Sequence, residues 1–285
     1  MSLPAPVARY IEECHWGRVT ASTPVGGGCI NNGARLTTSN GPRLFLKTNA
    51  TCPPDMFARE AEGLAALAAA GDGPRVPRPL LVGEQFLLLE YLAAAPPVAD
   101  YWEVFGRALA QLHSVTHPQF GFQHDNYIGS TPQSNRWHTN GFTFFAEERL
   151  LYQGKLAREH GLLSQSSLPQ LERMAGRLRD LVPEQPASLM HGDLWNGNAI
   201  EGPDGHACLI DPAAHYGWAE AELATTTLFG RFPPSFYSAY ESTRLLAPEY
   251  RARFEIYNLY HLLNHLNLFG EGYAGAVEGI LARYG

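Results

Sequence analysis

Strand-like segments lie between Val19 and Ala94 of this chain, and helix-like segments fill most of the remainder. Strands close in sequence tend to pair antiparallel, and the helices that come after them collect in a layer or lobe of their own. This order of patterns predicts an α+β chain with two lobes meeting at a cleft. Residues 1–16 read as a short helix, and "VTASTPV", "GARLTTS" and "RLFLKTN" read as strands. "SNGP", between the last two strands, reads as a hairpin turn in which Asn40 and Gly41 take positive φ. "CPPDMFAREAEGLAALAAAG" follows as a helix with Pro in its first turn and Gly at its end. "FLLLEYLAA", from Phe86 to Ala94, is a continuous apolar run suited to a buried strand. Pro96 and Pro97 close this half, which places a front domain over 1–92 and a back domain over 93–285. The back half has apolar residues at helical spacing in "ADYWEVFGRALAQLHSV", "FTFFAEERLLYQGKLAREHG", "LPQLERMAGRLRDLV" and "PEYRARFEIYNLYHLLNHLNLFG". Only two strand-like pieces, "ASLMHGD" and "HACLIDP", interrupt it.

The first of these opens "LMHGDLWNGNAI", residues 189–200, where Asn198 returns five positions after Asp193. Protein kinases use H-R-D-L-x-x-x-N, in which Asp accepts a hydroxyl proton and Asn holds Mg²⁺. Asp193 and Asn198 stand in that relation, and "CLIDP" supplies a further carboxylate, Asp211, 18 residues beyond Asp193. "HGD" alone reads as readily as an Asx- and Gly-rich turn. The three groups together, each beside a strand, point to phosphoryl transfer. Asn198 and Asp211 would offer oxygen ligands to Mg²⁺, and Asp193 would orient and deprotonate the attacking hydroxyl.

The front half offers a matching phosphate clamp. In "VGGGCINN", Gly26, Gly27, Gly28 and Cys29 sit between two strands, where backbone N–H groups can approach phosphates. Lys47 lies on the apolar strand "LFLK", as a lysine pairing with the α- and β-phosphates of ATP does. Glu60 and Glu62 are both candidates to position it; Glu60 falls beside the apolar face and Glu62 suits a solvated one. The backbone from Glu90 through Tyr91 to Leu92 is placed to bind adenine. Cys29 admits two readings, an oxidation-sensitive thiol beside polarised amides or a small residue packed under the loop. His113, His261 and His265 lie on helical patterns and suit partly buried structural positions rather than a metal site.

Bulk properties narrow the partners. A formal net charge of -7 argues against nucleic acid, which requires a basic surface. The N-terminal stretch lacks the pattern of a signal peptide, and no apolar run is long enough to span a membrane. Cys14, Cys29, Cys52 and Cys208 are scattered without metal or disulfide spacing, so a reducing cytoplasm is the expected compartment. Oligomeric state is not legible.

Over nearly its whole length the chain resembles the fructosamine kinase family, within the wider aminoglycoside-phosphotransferase-like kinases. The resemblance rests on "GGGCINNG", "FLKTN", "DMFAREAEGL", "FLLLEYL", "FGFQHDNYIGSTPQSN", "HGDLWNGN", "LIDPAAHYG" and "LYHLLNHLNLFG". It implies a bilobal protein-kinase-like fold and ATP- and Mg²⁺-dependent phosphorylation of a sugar hydroxyl on a ketosamine, which promotes deglycation. The substrate would be a small sugar-amine or a glycated protein. It further implies that Asp193 is the base, that Asn198 and Asp211 bind Mg²⁺, and that Lys47 with Glu60 holds ATP. By the same resemblance Trp195 packs on the sugar-amine, and Asp125, Asn126 and Tyr127 shape the acceptor pocket. The chain departs from the family at Trp218 and Ala219, where His-Arg is frequent, and at Arg231, where Gly is usual; these departures are expected near the acceptor side. Two rival readings remain: a kinase for an aminoglycoside, choline-like or other hydroxyl-bearing amine, and a pseudokinase-like protein that only binds nucleotide.

Overall fold

The structure, a computed structural model, describes residues 3–26 and 31–285. Helix α1 (Ala5–Glu13) precedes strands β1 (Val19–Val25), β2 (Asn32–Thr38) and β3 (Leu44–Thr48). Helix α2 (Met56–Ala68) and strands β4 (Pro79–Gly83) and β5 (Phe86–Glu90) complete the front lobe. The five strands pair antiparallel in the order β1-β2-β3-β5-β4. Side chains alternate between the faces of a strand, and this sheet uses both faces. Leu36, Leu44, Leu46, Phe86 and Leu88 pack with Val7 and Ile11 of α1 in a small core. Leu87 and Leu89 point the other way, into a larger core that includes Phe57 and Leu64 of α2 and continues through the back lobe. Full burial contributes roughly 2 kcal/mol for each such leucine, so α2 is fastened to both lobes. Pro24 is tolerated because β1 is an exposed edge strand.

The "SNGP" link departs from the expected tight turn, since neither Asn40 nor Gly41 has positive φ. The connection is a wider loop. Asn40 donates its amide to Trp16 O at 3.1 Å, Ser39 donates to Arg18 O at 2.9 Å, and the Thr38 hydroxyl bonds both Pro42 O and Gly41 N. Glycine is required at position 41 because a Cβ there would lie 2.4 Å from the Trp16 side chain.

The back lobe begins with α3 (Tyr101–Ser114), followed by β6 (Thr116–His117) and the hairpin β7 (Asn126–Ile128) and β8 (Thr131–Gln133). Next come α4 (Gly141–Phe144), α5 (Tyr152–Glu159), α6 (Ser167–Gly176), α7 (Leu178–Leu181) and strand β9 (Ala187–Met190). Then follow β10 (Ala199–Glu201), β11 (Ala207–Leu209), β12 (His215–Gly217), α8 (Ala219–Thr225), α9 (Pro234–Thr243), α10 (Phe254–Phe269) and α11 (Ala274–Tyr284). A π-helical stretch, Phe145–Leu151, joins α4 to α5. Its wider turn accommodates burial of two neighbouring polar side chains, Glu148 and Arg149. Arg149 donates to Ser134 O at 2.6 Å and Asn135 Oδ1 at 2.7 Å, pinning the chain that leaves β8. The sheet β12-β9-β6 and the pair β10-β11 flank the segments that carry Asp193 and Asp211. Among the described residues, no helix is long and apolar enough to cross a membrane.

Candidate active site

Lys47 shares a face of β3 with Phe45, the face that looks toward α2 rather than α1. Its ammonium is buried and donates to Glu60 Oε1 at 2.6 Å and to Asp211 Oδ1. Burial by itself disfavours the charge, but Glu60 and then Asp211 more than reverse that effect and hold the Lys47 pKa above its ordinary value. Of the two carboxylates considered on α2, Glu60 is the one bonded to Lys47. Glu62 instead meets Arg59 at 2.8 Å and His124 at 2.7 Å.

The catalytic-loop candidate leaves β9 through Gly192, whose φ is +85° and whose Cβ position would lie 2.1 Å from Ala213 O. Both features demand glycine. Beneath the loop, the buried Glu222 of α8 accepts Gly192 N at 2.6 Å and His191 N at 3.0 Å. His113 Nε2 lies 2.9 Å from the same carboxylate, and its Nδ1 lies 2.7 Å from Tyr240 OH. Burial opposes the Glu222 charge, yet the bonds and charges around it, His113 foremost, keep its pKa below the usual carboxylate value. Reasoning from sequence missed this anchor. A carboxylate in "AEAEL" gives no hint that two backbone amides far away in the chain converge on it.

Asp193 accepts Asn198 Nδ2 through Oδ2 at 3.1 Å, and the same amide donates to Asp193 O at 2.8 Å. With its nitrogen so committed, Asn198 has Oδ1 available as a ligand. Burial pushes the Asp193 pKa up to about 7; Asn198 partly offsets this, and Asp211 and Glu222 add to it. A carboxyl poised there can take a proton near neutrality. His261 Nδ1 stands 3.9 Å from Asp193 Oδ1, beyond hydrogen-bond length, so this histidine lies next to the site as well as in the core.

Asp211 follows β11 with φ +58°, an unusual conformation for a residue other than glycine. Ile210 N donates to Asn198 O at 3.0 Å and Ala213 N to His191 O at 2.9 Å, so the Asp193 and Asp211 loops are laced together. Asn198 Oδ1 and the Asp211 carboxylate form an all-oxygen donor set suited to a hard divalent cation.

On the nucleotide side, Gly26 lies just beyond β1, while Gly27, Gly28 and Cys29 lie outside the described residues. Glu90 donates its amide to Arg78 O at 3.0 Å and pairs its carboxylate with Arg75 at 2.8 Å. That amide is therefore committed within the lobe. The Leu92 amide has no backbone acceptor among the described residues, and Tyr91 lies under Arg35 at 5.8 Å.

Trp195 is half-buried, edge-on to Phe229 at 6.1 Å. Phe229 in turn packs on His265 at 4.4 Å. A Cβ at Gly197 would come within 2.3 Å of the indole, so glycine there lets the ring lie over the loop. The polar atoms of the Asp125 to Tyr127 stretch bond to neighbouring segments. Asp125 accepts Asn135 N at 2.7 Å, Asn126 donates to Ala214 O at 2.9 Å, and Tyr127 OH donates to Asp55 at 2.6 Å. Trp218 and Ala219 stand at the start of α8. Both are buried, and Trp218 packs among Phe120, Phe142, Phe145 and Tyr257, where it lines a small cavity together with Gly192 and His261. Arg231 is exposed, next to Gly230, which approaches Asn196.

Comparison with known proteins finds relatives over nearly the whole chain. The family model described as Fructosamine kinase matches residues 7–284. A protein named as a probable ketoamine kinase in Synechocystis sp. is 41% identical over 271 residues, covering 93% of this chain and 90% of its own. The chloroplastic protein-ribulosamine 3-kinase of Arabidopsis thaliana is 37% identical, covering 94% of this chain and 83% of its own. A crystal structure of a candidate fructosamine-3-kinase from Thermobifida fusca superposes with a TM-score of 0.89 at 32% identity, covering 99% and 98% of the two chains. The gentamicin complex of an aminoglycoside phosphotransferase superposes at 0.61 with 12% identity, a likeness of fold alone that fits the bilobal kinase-like architecture.

Proposed function

The chain belongs to the fructosamine kinase family, and from that premise we propose that it uses ATP and Mg²⁺ to phosphorylate a sugar hydroxyl of a ketosamine. The observation that carries this reading is the ion-paired set of Lys47, Glu60 and Asp211, beside a loop bonded to that of Asp211 on which Asp193 and Asn198 pair. The front domain, 1–92, would bind nucleotide through Lys47, the glycine-rich loop at Gly26 to Cys29 and the backbone of Tyr91 and Leu92. Asn198 Oδ1 and Asp211 would hold Mg²⁺, whose charge offsets that of the phosphate oxygens. Asp193, freed from sharing Oδ1, accepts the proton of the attacking hydroxyl and aims its oxygen at the γ-phosphorus. Little covalent work falls to the protein in such a transfer, so positioning and charge compensation carry the rate.

Trp195 and Phe229 form an apolar wall beside Asp193 on which the sugar-amine would lie. Phosphorylating the sugar destabilises the sugar–amine adduct, so the reaction would promote deglycation of a small amine or a protein side chain. A reducing cytoplasm suits the described cysteines, which are free. The test is ATP consumption over fructosamines, ribulosamines, aminoglycosides and choline, with product mass. A phosphorylated ketosamine supports the reading. Phosphate on another amine alone would replace the acceptor, and thermal stabilisation by Mg-ATP with no product on any acceptor would replace the kinase with a nucleotide-binding protein.

A further inference from the structure

The β7–β8 hairpin and the residues leading into it touch the segments that carry both groups paired with Lys47, α2 on one side and the chain after Asp211 on the other. Along one stripe of α2 and its N-terminal cap lie Asp55, Arg59 and Glu62, spaced so that they are neighbours on the helix surface. Arg59 joins the two carboxylates, with Nη1 2.8 Å from Glu62 Oε2 and Nε 3.5 Å from Asp55 Oδ2. The other oxygen of each carboxylate turns to the hairpin or to the segment leading into it. Tyr127 OH donates to Asp55 Oδ1 at 2.6 Å, and His124 Nδ1 lies 2.7 Å from Glu62 Oε1.

The opposite side of the hairpin holds the chain just beyond Asp211. Asn126 Nδ2 donates to Ala214 O at 2.9 Å and Gln133 Nε2 to Ala213 O at 3.1 Å. Asn126 Oδ1 accepts Gln133 Nε2 at 2.7 Å and Asn135 Nδ2 at 2.9 Å, so these buried amides are cross-linked to each other. Gly63 completes the contact. A Cβ there would lie 3.3 Å from Ala214 Cβ and 3.4 Å from Pro212 Cγ, so α2 rests directly on the segment after Asp211.

In protein kinases the Lys–Glu pair forms only when its helix is correctly placed, a placement controlled by phosphorylation of the activation loop. Here only residues 212–218 separate Asp211 from α8, and β12 occupies part of that span. We propose that the β7–β8 hairpin is the brace that keeps α2, and with it Glu60, in catalytic position, with Tyr127 and His124 as positioning residues. The proposal rests on the reading of Lys47 and Glu60 as the nucleotide clamp. It assigns the hairpin to the lobe junction rather than to direct contact with the acceptor.

The test is the Tyr127→Phe/His124→Ala double variant of the full chain, at positions that are not fully buried. Amide exchange across 56–68 is measured without nucleotide, and kcat and the KM for ATP are measured with it. The brace predicts faster exchange in α2, a KM for ATP raised about ten-fold and a kcat at saturating ATP changed by less than about three-fold. The Tyr127→Phe/His124→Gln variant, which keeps a donor toward Glu62, should recover part of the KM. Unchanged exchange in α2 overturns the proposal. So does a loss of kcat at constant KM with a lowered melting temperature, because that is the signature of a merely structural role. A wild-type protein that neither binds nor turns over ATP would remove the kinase reading, while the exchange comparison would still decide whether the hairpin braces α2.

Discussion

Replacing Glu222 by Gln removes a charge and an acceptor from beneath the catalytic loop while scarcely changing shape. One carboxylate oxygen receives Gly192 N at 2.6 Å; the other receives His191 N at 3.0 Å and faces His113 Nε2 at 2.9 Å. A side-chain amide has a single oxygen, so in either orientation its NH₂ group confronts a backbone N–H. His113 can change tautomer to accommodate an NH₂ group, but a peptide amide cannot. Glu222 is 1% exposed and His191 is fully buried, so water does not readily take up the lost bond. An unsatisfied buried donor together with weakened charge-assisted bonds sums to about 3 kcal/mol. The loop also carries Asp193, and an error of about 1 Å in its aim lowers turnover by about a hundred-fold. Urea unfolding followed by fluorescence reads the first effect, and steady-state kcat under saturating substrates reads the second. A Glu222→Gln protein with the wild-type unfolding midpoint and a kcat within about two-fold of wild type would refute the anchoring role.

The remaining predictions concern other parts of the site. Lys47→Met should lower kcat/KM for ATP by about a hundred-fold or more through loss of charge at the phosphates; an unchanged value would remove Lys47 from the nucleotide site. Gly192→Ala combines a φ of +85° with a 2.1 Å contact, so a loss of about 2 kcal/mol or more is expected in thermal unfolding; an unshifted melting curve contradicts the loop geometry. Burial holds His113, His191 and His215 below their ordinary pKa, and pushes His261 down to about 3. The unfolded chain takes up these protons near pH 6.5, whereas the folded one resists them. Their contribution is therefore complete above about pH 6.5 and is lost as pH falls toward the folded values. Urea midpoints measured between neutrality and mild acid should decline; a flat profile would contradict the burial of these rings.

What could be read from sequence was mostly local chemistry. The Asp193, Asn198 and Asp211 spacing was legible because each polar group interrupts an apolar strand, and Lys47 stands out for the same reason within "LFLK". Glu60 and Glu62 could be ranked by helical phase, and the structure separates them by partner, Lys47 for one and His124 with Arg59 for the other. The strands β6, β7, β8, β10 and β12 have two or three residues each, too few to show any period. The anchor formed by Glu222, His191 and His113 joins segments that meet only in the folded chain. Trp218 illustrates the same limit. Its place among Phe120, Phe142, Phe145 and Tyr257 depends on packing that a single segment does not encode. The "SNGP" loop misled for a related reason, because Gly41 serves the approach of Trp16 rather than a turn φ.

The most direct measurement compares wild type with Asp193→Asn, each incubated with Mg-ATP and a fructosamine or ribulosamine, with the phosphorylated product read by mass and nucleotide binding measured in parallel. The expected result is one ADP per phosphorylated ketosamine from the wild type, and almost no product from Asp193→Asn although it still binds nucleotide. Equal turnover by the two proteins, or no phosphorylated ketosamine from the wild type, would contradict the assignment of Asp193 as the base of a ketosamine kinase.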